Sequence, residues 1–279
     1  MKIEAIVVCV NYSDFLAFTL PTNVKMFNKL VVVTDSKDFA TQRLCEYYKV
    51  QCVVTDCFYE GGDKFNKGKG INEGLKYLDK DAWILHLDAD IYLPPLTCNI
   101  LNILNLDSTC IYGLDRFMVH SFNDWINHLS LPNFIHEAGI YVHPTAFDIG
   151  VRISQYEIEG YIPIGFFQLW HKDSNQMEYP PNYGGADRTD MQFSKLFSQS
   201  KRKFIPDIIV YHLESNTEKM SANWLGRKTH YFGGKNTEEN IKKFNHSSEL
   251  AEKEFKIKTE LKKGVNLVEI IESYKKPYN

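Results

Sequence analysis

Short apolar runs alternate with segments of helical period along the first 114 residues. "IEAIVVCV" (3–10), "KLVVVT" (29–34), "VQCVVT" (50–55), "AWILHL" (82–87) and "STCIYGL" (108–114) predict strands, being short, rich in Val and Ile, and closed by polar residues or Gly. Helices are predicted between them, from 13 or 14 to 27, over 38–48, over 69–78 and over 95–104. Ser36, ahead of "KDFATQRLCEYY", is the expected N-cap of the second. Regular alternation of this kind implies βαβ units and a mostly parallel sheet with helices on both faces. Ligands of such sheets bind at the carboxyl ends of the strands.

After residue 114 the alternation gives way to stretches of Gly, Pro and aromatics, "EAGIYVHPTAFD", "YIPIGFFQLWHKD" and "EYPPNYGGADRTD", read as loops that shape a second-substrate pocket. A short helix is expected over 187–197 and a late strand over 203–215. The Lys/Glu-rich segment 237–274 carries Leu250, Phe255, Ile257 and Leu261 at roughly helical spacing and predicts one or two amphipathic helices. The organisation expected is a nucleotide-binding half over 1–114, an acceptor-binding and catalytic half of the same domain over 115–232, and a helical tail over 233–279.

Composition adds constraints. With 279 residues, 44% apolar, the chain can bury a large single core, and a net charge of -3 advertises no global attraction to nucleic acid or membrane. "MKIEAIVVCV" is too short for a signal segment or a membrane span. The six cysteines lack paired spacing, so free thiols in a reducing cytoplasm are expected.

Chemistry concentrates at "WILHLDADIYLPP" (83–95), where an apolar strand runs into two acids one residue apart. In extended backbone, residues i and i+2 share a face, so Asp88 and Asp90 could converge on Mg²⁺ or Mn²⁺, ions that complete their coordination with water and phosphates. An isolated DxD can equally be a helix cap and a solvated acid, so the neighbouring segments matter. "FNKGKGINEGLKYL" (65–78) fits neither standard phosphate-loop pattern, yet offers a helix N-terminus with Lys67 and Lys69. "VYHLES" places His212 near the end of a late strand, where imidazole suits Mn²⁺ beside two carboxylates. Arg227, in "NWLGRKT", could neutralise a leaving phosphate. Trp125, Trp170, His171, Tyr179 and Tyr183 have faces suited to stacking on sugar or base, or to the core.

"VVCVNYSDFL", "VVVTD", "FNKGKGINEGL" and "HLDADIYLPP", in that order, resemble the nucleotide-sugar half of the GT-A glycosyltransferases, the family 2-like group above all. "GGADRTDMQFSKLF" is similar to the acceptor-side segment of that group, and "VYHLES" with "NWLGRKT" to its metal-histidine region, so the likeness spans about residues 3–232. The resemblance implies a GT-A, Rossmann-like fold and a metal-dependent, inverting transfer from a nucleoside-diphosphate sugar to a hydroxyl. It implies that Val10, Asn11, Tyr12 and Asp35 bind base and ribose, with Lys67, Lys69, Asp88 and Arg227 as further donor contacts. Asp88, Asp90 and His212 would hold the metal. Asp190 is the implied base, because "TDMQFSKLF" has Thr189 where the group has Glu, and Asp187 is the alternative base or an acceptor ligand.

The acceptor stays open between a bacterial surface saccharide and a hydroxymethylated pyrimidine in DNA, the second suggested by likeness to phage transferases and placing the enzyme in the host cytoplasm. DNA phosphates would then meet Lys201, Arg202 and Lys203. Rival classes are a nucleotidyltransferase, which wants a Gly/Arg-rich loop at the first strand, a dehalogenase-like phosphatase, which wants DxD after the first strand, and a non-catalytic sugar-nucleotide binder.

Overall fold

The computed structural model describes residues 1–119, 160–175, 178–182, 186 and 189–213. The tail, Asp187, Arg227, Trp125 and Tyr183 lie outside them. Eight strands, β1 (Ile3–Val8), β2 (Lys29–Thr34), β3 (Gln51–Val54), β4 (Trp83–Asp88), β5 (Ile91–Tyr92), β6 (Ile111–Val119), β7 (Phe167–His171) and β8 (Arg202–Leu213), form one mixed sheet in the order β3-β2-β1-β4-β7-β6-β8-β5. β1 to β4 pair in parallel, β7 runs antiparallel between β4 and β6, and β6 and β8 pair in parallel with a bulge at Leu114/Asp115. The helices are α1 (Ser13–Asn23), α2 (Phe39–Tyr48), α3 (Lys67–Leu75), α4 (Thr97–Ile103) and α5 (Thr189–Lys195).

The parallel strands stand where the apolar runs predict them, since strands covered on both faces need no polar alternation. Their odd and even residues serve separate cores. Ala5, Val7 and Cys9 join Leu30, Val32, Leu85 and Leu87 against Leu16 and Leu20 of α1 and Leu44 of α2. Ile6, Val8, Val31, Val33, Ile84 and Trp170 face Ile71 of α3 and Phe193 of α5. On this second face the glycines of "GKGINEG" act as spacers. A Cβ at Gly74 would lie 2.9 Å from Ile6 and 2.8 Å from Val33, and one at Gly68 would lie 2.8 Å from Thr189. The segment is thus a helix, as predicted, pressed onto β1, β2 and the start of α5.

Two local expectations are corrected. The N-cap of α2 is Asp38, whose carboxylate accepts the Thr41 N–H at 3.1 Å, while the N–H of Ser36 donates to Asp56. "FFQLWH", read as a loop, contains β7, and Trp170 and Tyr179 are fully buried core residues. All six cysteines are free thiols. Among the described residues, no helix is long and apolar enough to cross a membrane.

Candidate functional site

The carboxyl ends of β1 and β4 meet, because Val8 of β1 pairs in register with Asp88 of β4. Beyond β1 the chain turns through Asn11, which takes a left-handed φ of 57°, a conformation asparagine tolerates better than most residues. Asp38 anchors that turn: its Oδ2 accepts the Asn11 N–H at 2.7 Å and the Thr41 hydroxyl at 2.7 Å. Val10 is buried, Tyr12 is half-buried and Asn11 is exposed on the rim, with Asp35 buried at the end of β2. The residues expected to hold base and ribose therefore line one edge. Asp38, which fastens them, was read only as the start of a helix.

After β4 the backbone does not continue straight. Thr19 of α1 donates to Ala89 O at 2.7 Å, and Asn23 of α1 donates to Ile91 O at 2.8 Å and accepts the Leu93 N–H at 3.1 Å. These two buried polar side chains swing the chain across to β5, which pairs with the end of β8. Ile91 sits opposite His212 and the Leu213 N–H donates to Asp90 O, so the imidazole Nε2 comes to 3.1 Å from Asp90 Oδ2. Thr19 and Asn23 were missed, their only signal being polar residues on the buried side of a helix.

Asp88 faces the other way, toward α3. Its Oδ1 is ion-paired with Lys67, the first residue of α3, and lies 3.6 Å from Nε2 of His86. Burial works against the charge of Lys67, but the carboxylates of Asp88 and then Asp190 outweigh it and hold the ammonium above the ordinary lysine range. Burial pushes the Asp88 carboxyl up, with Lys67 opposing. Lys69, by contrast, points to Asp63 at 3.0 Å, and the N–H of Lys69 is taken by the Asn66 cap.

A buried polar seam runs beneath Asp88. The Gln168 amide of β7 shares its two N–H groups among Pro163 O at 3.1 Å, Asp190 O at 2.9 Å and Ser194 Oγ at 2.8 Å, which makes its Oε1 the acceptor on the other side. The Tyr179 hydroxyl donates to that oxygen at 2.6 Å. His86 Nδ1 lies 3.3 Å from the same oxygen and 3.2 Å from the Tyr179 hydroxyl, and its Nε2 faces Asp88 Oδ1 at 3.6 Å. Burial, and next the charge of Lys67, hold His86 neutral, far below the ordinary imidazole range. Among the described residues Nε2 has no hydrogen-bond partner.

The seam ends at α5. Asp190 is half-buried in the first turn, its Oδ1 accepting the Met191 N–H at 2.8 Å and its Oδ2 accepting the Gly165 N–H. Any side chain at residue 165 would collide with it, since a Cβ there would lie 2.9 Å from Oδ2. Two backbone donors thus aim the carboxylate, and its remaining lone pairs are available to a substrate proton.

Asp88, Asp90, Asp190, His212 and Lys67 therefore gather at one edge, in two pairs and a third acid: Lys67 with Asp88, His212 with Asp90, and Asp190 within the electrostatic reach of Lys67. The donor types are those of Mg²⁺ or Mn²⁺, which bind one or two carboxylates and draw other ligands from phosphate and water. Among the described residues, no three His, Cys, Asp or Glu side chains form a finished cage, and the charge standing against Asp88 is already a cation. The residues fit a metal that arrives with its own phosphate ligands.

No protein-family model matches the sequence, and no curated protein matches it. Among solved structures the chain is similar to glucosyl-3-phosphoglycerate synthase from Mycobacterium tuberculosis in complex with Mn²⁺, UDP-glucose and glycerol 3-phosphate, with a TM-score of 0.48 and 10% identity over 81% of this chain and 75% of that one. The same enzyme with Mn²⁺, UDP and phosphoglyceric acid gives a TM-score of 0.48 and 11% identity over 81% of this chain and 73% of that one. A mycobacterial protein gives 0.43 and 13% over 77% and 65%.

Proposed function

We propose that the protein is a divalent-metal-dependent glycosyltransferase of the GT-A type that moves a sugar from a nucleoside-diphosphate donor to a hydroxyl acceptor, with inversion. The observation that carries this reading is the meeting of Asp88, Asp90 with His212, Lys67 and Asp190 at the carboxyl edge of the sheet, beside the Val10–Asn11–Tyr12 turn. Base and ribose would lie along that turn and Asp35. A divalent cation held by Asp90, His212 and Asp88 would neutralise the diphosphate as it departs. Lys67 adds a second positive charge on the same side, and Arg227 is retained as a further candidate for it.

Asp190 is our choice of base. Its carboxylate takes the proton of the acceptor hydroxyl while that oxygen forms a bond to the anomeric carbon and the bond to the diphosphate oxygen breaks. Asp187, outside the described residues, is the alternative. Free thiols at all six cysteines support work in a reducing compartment such as the cytoplasm. For the acceptor, a saccharide or small hydroxyl compound is favoured over DNA. Lys201 pairs with Asp107 at 3.2 Å and the Arg202 Nε donates to Phe197 O at 3.0 Å, so two of the three cations expected on phosphates have partners within the protein.

The test is a transfer assay with a panel of nucleotide sugars and Mn²⁺. Asp90→Asn and Asp190→Asn should each lower kcat by about 10²-fold or more, with Asp190→Asn sparing donor binding. Near-normal transfer by Asp88→Asn and Asp90→Asn under chelation would rule the mechanism out.

A further inference from the structure

Lys67 occupies an unusual place. It opens α3, a helix pinned against the sheet and α5 by glycines that leave no room for a side chain at 68 or 74. Its side chain is 16% exposed, and its ammonium is paired with Asp88 Oδ1 while feeling Asp190 and Asp90. The same Oδ1 lies 3.6 Å from His86 Nε2, longer than a hydrogen bond. A partly buried carboxylate is costly unless a positive charge stands near it. Lys67 is that charge.

We propose, resting on the reading of this edge as the donor site, that Lys67 is a tethered counter-ion: it holds the Asp88 carboxylate in the donor-free protein and yields it when metal and diphosphate enter together. A divalent cation arriving alone must displace the ammonium toward Asp190 or Asp90, carboxylates that among the described residues are already engaged by the Gly165 and Met191 N–H groups and by His212. Arriving with a diphosphate, it brings the acceptor with it, because the released ammonium can move onto a phosphate oxygen. Metal and nucleotide then bind cooperatively, each strengthening the other by the same factor. No bond is made or broken in the exchange, only ion pairs.

The cycle can be measured without turnover. Free Mn²⁺ is followed by electron paramagnetic resonance during titration of the full-length wild type, Lys67→Met and Lys67→Gln. Each is titrated alone and with whichever of UDP, GDP and dTDP stabilises the wild type in the presence of Mn²⁺. Urea unfolding confirms that the variants are folded, and two variants guard against one failing to fold.

Removing the competitor should tighten Mn²⁺ binding in the absence of nucleotide by about 5-fold or more, within the usual range of coupling between sites. The enhancement of Mn²⁺ affinity by nucleotide should shrink by a similar factor, and the variants should bind nucleotide more weakly at saturating Mn²⁺. If Lys67→Met and Lys67→Gln bind Mn²⁺ alone no tighter than the wild type, the counter-ion role is overturned while the donor-site reading stands. If the wild type and both variants bind no Mn²⁺ with or without nucleotide, both fall. Loss of Mn²⁺ binding in Asp90→Asn confirms that the signal comes from this edge.

Discussion

The two faces of the central sheet are equally dry and differently built. The face toward α1, α2 and α4 is packed by Ala5, Val7, Leu30, Val32, Leu85, Leu87 and Leu169. The face toward α3 and α5 starts the same way with Ile6, Val31 and Ile84, then changes within a few residues to His86, Asp88, Gln168 and the Tyr179 hydroxyl. An apolar core tolerates exchange of one aliphatic residue for another of like volume. A buried polar seam is stable only when each member finds its partner, so it fixes one geometry. The second face thus ties the strand that carries Asp88 to the helix that carries Asp190. The first supplies stability to the whole sheet.

The contrast can be broken from either side. Leu85→Ala, in the apolar face, should cost about 2–5 kcal/mol by urea unfolding, with kcat unchanged for the folded fraction. Gln168→Leu strands buried groups of His86, Tyr179, Ser194 and the Asp190 carbonyl and should cost about 1–3 kcal/mol. Unlike the first change, it should also lower kcat while leaving donor KM nearly constant, because it releases α5 more than the donor edge. Equal losses of stability with equal retention of kcat in both variants would erase the distinction. At the far end of the scale, Ile103→Ser removes a large apolar side chain that is 82% exposed and should stay within about 0.5 kcal/mol of wild type.

The same contrast explains what was legible in the sequence. The parallel half shows itself in runs such as "KLVVVT", whose residues are buried on both sides and so need nothing polar. β7 hides because the second face needs Gln168 inside it, and a polar residue flanked by aromatics imitates a loop. β5 is two residues long and exists because Thr19 and Asn23 of α1 redirect the chain, a cause lying about 70 residues upstream in partner separations of 70 and 68. At the edge, Asp88, Asp90, Lys67 and His212 could be picked out as candidates by residue type and position, and Asp190 by the family resemblance. Their pairing could not, since the i, i+2 argument puts Asp88 and Asp90 on one face, whereas the turn at Ala89 sends one to Lys67 and the other to His212. The glycines of "GKGINEG" look alike as phosphate cradle or helix spacer until the strand residues opposite them are known.

The central claim is that this edge binds a divalent cation together with a nucleoside diphosphate. A crystal grown with Mn²⁺ and the stabilising nucleotide, measured at the manganese absorption edge, tests it most directly. The account predicts one anomalous peak in coordinating contact with Asp90 and His212 and with phosphate oxygens, and Lys67 drawn off Asp88. A nucleotide seated elsewhere, or no manganese near Asp90, would contradict it.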